Sequence, residues 1–93
     1  MIQSFRHKGL EKFFTGNSKK GIQPEHAKKL TAILTALHAA KHINQIAAYE
    51  AFGLHPLKHW GTDLWAVKVS GNWRVTFVWK GEDAEQVDYV DYH

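Results

Sequence analysis

Two short polar segments carry most of the groups able to do chemistry. One is His55-Pro56-Leu57-Lys58 in mid-chain; the other is Asp88-Tyr89-Val90-Asp91-Tyr92-His93, the last six residues. Arg74 lies between them in the run Gly71-Asn72-Trp73-Arg74. Imidazole, ammonium, guanidinium, carboxylate and phenol together meet the needs of one reaction, the cleavage of RNA by its own 2′-hydroxyl. That reaction needs a base for the hydroxyl proton, cations for the charge that builds on phosphorus, and an acid for the departing 5′-oxygen. A well-placed proton donor or acceptor contributes about 10²–10⁴-fold. Fixed positive charge adds on the order of a few kcal/mol. Neither a metal nor a cofactor is called for.

Plainer readings compete with this one. Many chains end in polar residues that are merely solvated, and an arginine on a strand often pairs with an acid on the neighbouring strand. Histidine could also point to a metal-dependent hydrolase. His55 and His59 are four apart, but Pro56 argues against a helix through that segment. His38 and His42 fall near the C-terminal end of a helix, where a protonated ring meets the dipole favourably, and no third ligand is evident.

The elements that must position these groups are legible from periodicity. Ile2-Gln3-Ser4-Phe5 fits a short first strand. Leu10, Phe13 and Phe14 recur at helical spacing, and Thr15-Gly16-Asn17-Ser18 ends that helix. Pro24 stands where the longest helix begins, and Ala27, Leu30, Ile33, Leu34 and Leu37 mark its apolar stripe, giving a helix over about 24–40. Ile43, Ile46 and Tyr49 suggest a further helical turn. His55 to Gly61 reads as a loop or strand edge. Trp65, Val67 and Val69 alternate on one strand, and Trp73, Val75, Phe77 and Trp79 on the next, with a tight turn at Ser70-Gly71-Asn72. Gly81 to Ala84 turns again, and Gln86 to Tyr92 forms the last strand. The expectation is an α+β domain over 1–93, with two or three helices on one face of a mainly antiparallel sheet. The other face stays partly open. If the Trp-rich face packs on the helices, Arg74 faces the open side. A meander returns the chain, so the two polar segments are expected to meet at one end of the sheet. Ideal alternation puts Asp91 and His93 on one face and Tyr92 on the other, and all three serve one site only if the last residues twist or fray.

Composition narrows the class. With 93 residues the chain has the size of one domain, and 44% apolar and 23% charged residues mark it as globular. It has no cysteine, which excludes a disulfide scaffold and thiolate zinc sites. The first residues lack the apolar core of a signal peptide, and no stretch approaches the roughly 20 apolar residues of a membrane span, so a cytoplasmic setting is expected. The net charge of +3 is uneven. Lys8, Lys12, Lys19, Lys20, Lys28 and Lys29 fall early, whereas Glu82, Asp83, Glu85, Asp88 and Asp91 fall late. A basic front suits a polyanion such as nucleic acid.

The segments Ile2 to Leu10, Leu54-His55-Pro56-Leu57-Lys58, Gly71-Asn72-Trp73-Arg74, Asp88-Tyr89 and Asp91-Tyr92-His93 resemble the HigB toxins, or plasmid maintenance killer proteins, of the RelE/ParE superfamily. The resemblance covers essentially the whole chain, and its most specific parts are the His-Pro-Leu-Lys segment and the Asp-Tyr-His ending. It implies a RelE-like, microbial-RNase-type fold. It implies the toxin of a type II toxin–antitoxin pair that cleaves mRNA in the ribosomal A site. It implies a HigA-like helix-turn-helix antitoxin as partner, with operator DNA reached only through that antitoxin, and no membrane. His55, Lys58, Arg74, Asp91, Tyr92 and His93 match positions linked to activity in the family. Lys19, Lys20, Lys28 and Lys29 would then hold ribosomal RNA, the 16S species at the A site. One departure is the loop: family members often follow Lys with Gly, whereas here Lys58 precedes His59-Trp60-Gly61. A diverged member that keeps the fold and binds antitoxin without cleaving RNA is the alternative.

Overall fold

The computed structural model describes residues 1–57 and 63–92. The first helix, α1 (Lys8–Gly16), is capped at its start by the His7 ring, whose Nδ1 accepts the Leu10 N–H at 2.9 Å. It ends at Asn17, which takes the left-handed conformation (φ +57°) and returns its N–H to the last turn. Gly9 and Gly21 face each other where α1 crosses the following loop. A Cβ on Gly21 would sit 2.5 Å from Gly9 Cα, so only glycine permits this approach.

Pro24–His26 forms a single 3₁₀ turn that leads into α2 (Ala27–Ala39). Leu30, Ile33, Leu34 and Leu37 on α2 are buried, as the apolar stripe requires. The short α3 (Ile43–Ala47) buries Ile46 and is fixed at its start by Gln45 Oε1, which accepts the Lys41 and His42 N–H groups. A second 3₁₀ turn, Glu50–Phe52, ends at Gly53 (φ +56°), which swings the chain into the sheet.

The sheet has four strands in the order β1 (His55–Pro56), β2 (Leu64–Ser70), β3 (Trp73–Lys80) and β4 (Asp83–Asp91), every neighbour antiparallel. The expected meander is therefore present, widened at one edge by the His-Pro pair. The N-terminal segment runs parallel to β4 and touches it at two bridges, Ile2 to Ala84 and Phe5 to Val87. The Ile2 N–H donates to His38 Nδ1 at 3.2 Å, so this histidine ties the N-terminus to α2. Between Thr76 and Val78 the register on β4 slips by one residue, and Gln86 takes φ +53° there. This is a β-bulge. It restores the inward aim of Ala84, Val87 and Tyr89 on either side of the slip.

The described helices lie on one face of the sheet. Val67, Val69, Val75, Phe77, Trp79, Ala84, Val87 and Tyr89 meet the helical stripes in one core. Each fully buried Leu, Ile, Val or Phe stabilises the fold by roughly 1.5–3 kcal/mol. Among the described residues no helix covers the opposite face of the sheet, and none is long and apolar enough to cross a membrane.

Candidate active site

The uncovered face carries the candidate site. Residues paired across antiparallel strands share a face, so the register states who stands beside whom. One row runs His55, Ala66, Thr76, Asp88; the next runs Lys68, Arg74, Val90. On the other side lie Leu64, Val78 and Glu85, with Leu57 joined to Leu64 by an N–H to carbonyl bond of 2.9 Å. His55 and Arg74 thus occupy the same face on adjoining rows, two strands apart.

His55 is exposed, and its Nδ1 lies 3.1 Å from the Gly53 carbonyl oxygen. A carbonyl only accepts, so Nδ1 carries the hydrogen and Nε2 of the neutral ring keeps its lone pair. The left-handed Gly53 aims that carbonyl back at the ring two residues on. Arg74 donates through Nη1 to the carbonyls of Gly71 (2.7 Å) and Trp73 (3.0 Å). Its cross-strand neighbours are Lys68 and Val90, not an acid. The fork is held over the β2–β3 turn, and that turn exists because Gly71 accepts φ +54°.

The C-terminal end of β4 divides between two faces. Asp91 pairs in register with Trp73, on the side of the inward-facing Tyr89. Tyr92 stays on the ladder through its N–H to the Asn72 carbonyl at 2.8 Å, and it lines the uncovered face. Alternation therefore persists to Tyr92, and Asp91 and Tyr92 point opposite ways. Strand order also separates the two polar segments. β1 and β4 are the outer strands, about 14 Å apart at the usual 4.7–4.9 Å spacing. They do not pair at one end; they flank a shared face. Lys58 and His93 lie outside the described residues.

Between the flanks is a recess of about 290 Å³ lined by Arg6, Leu57, Leu64, Thr76, Gln86, Val90 and Tyr92. Leu57 from one edge and Tyr92 from the other both reach it. The β2–β3 register places Lys68 beside Arg74; Lys68, Arg6 and Gln86 were not among the residues the sequence singled out. Alternation back from Tyr92 offers the face of Gln86, whereas the place of Arg6 depends on the parallel bridge at Phe5, which has no sequence signal.

A buried cluster backs the site from the core side. The Tyr89 hydroxyl accepts the Gln23 N–H at 3.3 Å and lies 2.6 Å from His26 Nδ1. Its ring stacks on Trp73 with centroids 4.5 Å apart. Burial pushes the Tyr89 phenol above its ordinary range, the Gln23 N–H opposes this, and the charges of Glu25 and Asp91 add to the rise. These contacts fix β4 just before Asp91.

The basic residues Lys19, Lys20 and Lys28 are exposed on the helical layer. Lys19 and Lys28 line one groove between α1 and α2, with Phe13 and Asn17. Lys29 is partly drawn down, its Nζ donating to the Ala51 carbonyl at 3.2 Å and lying 5.8 Å from the Phe52 ring centre. Among the described residues no group of three His, Asp or Glu side chains is placed to hold a metal ion.

Comparison with known proteins gives the family. Residues 3–93 match the family of HigB-like toxins, described as the RelE-like toxin of the type II toxin–antitoxin system HigB. The chain is also 34% identical over 93 residues to Endoribonuclease HigB of Proteus vulgaris, with all of both chains covered. A family match across nearly the whole chain, on an α+β fold with helices packed on one face of an antiparallel sheet, shows that this protein belongs to the HigB-like toxins of the RelE superfamily and is the toxin of a toxin–antitoxin pair, with an antitoxin as its partner.

Proposed function

We propose that this toxin is a ribosome-dependent endoribonuclease that cleaves mRNA in the ribosomal A site by metal-independent attack of a ribose 2′-hydroxyl on the adjoining phosphate. The observation that carries the reading is the tethered His55. With Nδ1 bound to the Gly53 carbonyl, Nε2 is free to act as the base on the same face as the Arg74 fork. The relative from Proteus vulgaris, named an endoribonuclease, supports the same class of reaction.

His55 takes the 2′-hydroxyl proton as O2′ attacks phosphorus. Arg74, joined by Lys58, holds the phosphate oxygens as their charge grows. The 5′-oxygen leaves with a proton from His93 or Lys58, and the products are a 2′,3′-cyclic phosphate and a 5′-hydroxyl. Attacking and leaving oxygens are in line, so base and acid belong on opposite sides of phosphorus. His55 on one outer strand and Tyr92 just past the end of the other flank the face between them. Tyr92 stacks on a base, as exposed aromatics do on single strands. Asp91 is the alternative base; it stands beside Trp73 on the helical side of β4, so this role requires the end of the strand to turn it to the face of His55 and Arg74. The domain acts as one unit over 1–93, its antitoxin is a HigA-like helix-turn-helix protein, and operator DNA is met only through it.

The test is cleavage of a translated mRNA by His55→Ala and Asp91→Ala variants. Loss of the base lowers the cleavage rate of His55→Ala by about 10²–10⁴-fold. Wild-type rates from both variants overturn the site.

A further inference from the structure

The recess beside Arg74 has a composition that a phosphate grip does not explain. Its apolar wall is Leu57, Leu64 and Val90, and its polar side chains include Arg6 and Gln86. A phosphate site would gather several cations and little hydrocarbon. At about 290 Å³ the recess is at the small end of ligand pockets, which run from about 300 Å³. That is room for one planar ring system.

Two features of the backbone aim the polar groups here. Gln86 sits on the bulge of β4 in the left-handed conformation, and its own N–H is bonded to Ser4 Oγ at 2.9 Å. Arg6 is fastened beside it, its N–H donating to the Val87 carbonyl at 2.9 Å, while Val87 N–H returns to Ser4 at 3.0 Å. Bulges re-aim side chains next to functional sites. Because of the bulge, Glu85 and Asp88 stand on this face in register with Val78 and Thr76, with Gln86 at the slip between them.

We propose that this recess is a base pocket that takes one purine of the RNA substrate, with Gln86 and Arg6 as the residues that select it and Tyr92 as a stacking wall. The proposal rests on the ribonuclease reading and supplies its base preference. A Gln amide presents a donor and an acceptor side by side, which matches the paired donor and acceptor on an adenine edge. A guanidinium offers donors only and seeks acceptors such as purine N7. A purine serves both residues from two edges, whereas a pyrimidine spends its one polar edge on Gln86. Leu57, Leu64 and Val90 give the ring faces the apolar contact they need.

The experiment maps cleavage positions in a translated mRNA for wild type, Gln86→Leu, Gln86→Glu and Arg6→Met. It is paired with direct binding of AMP and CMP to each free protein by NMR shift titration. Wild type cuts with a purine at a fixed offset from the broken bond. Gln86→Leu and Arg6→Met lower that preference by about fivefold or more, the discrimination that one bidentate base contact supplies. Gln86→Glu, which keeps acceptors and loses the donor, moves the preference toward bases that present donors. An active wild type whose base preference is the same in all three variants overturns the pocket and leaves the nuclease reading standing. A wild type that cleaves nothing yet binds AMP over CMP, with Gln86→Leu abolishing the difference, supports the pocket and sinks the nuclease reading. No cleavage and equal binding of AMP and CMP overturns both.

Discussion

Tyr89 is the residue on which the C-terminal end of β4 turns. Its hydroxyl serves the buried His26 ring and the Gln23 N–H together, and its ring stacks on Trp73. Tyr89→Phe keeps the stack and strands the His26 nitrogen, which costs about 1–3 kcal/mol in a denaturant titration. The phenol also sets a pH dependence. Its pKa in the fold is raised above the ordinary 10.0, chiefly by burial, so the unfolded chain releases this proton first. Stability is therefore fully present below about pH 10 and falls as pH rises through the folded value. The measurement is stability against pH from about 8 to 11: the wild-type curve declines more steeply at its alkaline end than that of Tyr89→Phe. Equal slopes would remove Tyr89 from the account. Nothing in the sequence marked this residue apart from its neighbours, because a buried hydroxyl is recognised only by the donors and acceptors that the fold brings within about 3 Å of it.

At the scale of elements, the crossing of α1 over the loop before α2 is set by two glycines in backbone contact. A methyl group on Gly21 would overlap Gly9 Cα, with backbone on both sides and no flexible side chain to yield. Gly21→Ala should destabilise by roughly 1–3 kcal/mol, as overpacking does. Gly16→Ala, whose Cβ would meet nothing within 4 Å, is the control and should cost nothing. Thermal unfolding of both variants decides; similar melting points would mean that the loop shifts freely. The helices and strands themselves were legible from period. The stripe on α2 and the alternation on β2 and β3 stand where the residues predicted them. The start of the long helix is tighter than expected, a 3₁₀ turn over Pro24–His26. The last strand begins at Asp83 instead of Gln86, since the turn needs only Gly81 and Glu82 and the bulge then absorbs one residue.

At the scale of the whole molecule, the shortest dimension is 23 Å, room for one sheet and one layer of helices, each about 10–12 Å thick. Function divides between the layers. The bare sheet face carries His55, Arg74 and Tyr92, and the helical layer carries the exposed Lys19, Lys20 and Lys28. On the proposed function the lysines grip ribosomal RNA without competing for the scissile strand. Replacing all three by Gln should reduce the slope of log K for ribosome binding against log salt by about 2–3, roughly 0.7–0.9 for each phosphate no longer neutralised. An unchanged slope would move the ribosome-binding surface elsewhere.

Side-chain period and short motifs are local properties, so the chain read alone was enough for the main helices and the meander strands, the inward Trp-rich face, the outward aim of Arg74 and the family, whereas the expected first strand over Ile2 to Phe5 makes only two isolated bridges. The arrangement of the polar segments came from the tertiary structure. It placed them on opposite edges of the sheet, since strand order is a matter of which backbones pair and not of how close residues are in the chain. It tethered His55 through Gly53, kept Asp91 and Tyr92 on the opposite faces that alternation gives them by holding the strand end on the ladder, and brought Arg6 to Gln86 by pairing the first residues with a bulge near the other end of the chain. The strand order and the meeting of Arg6 with Gln86 depend on backbone hydrogen bonds between distant segments, which no window along the chain contains.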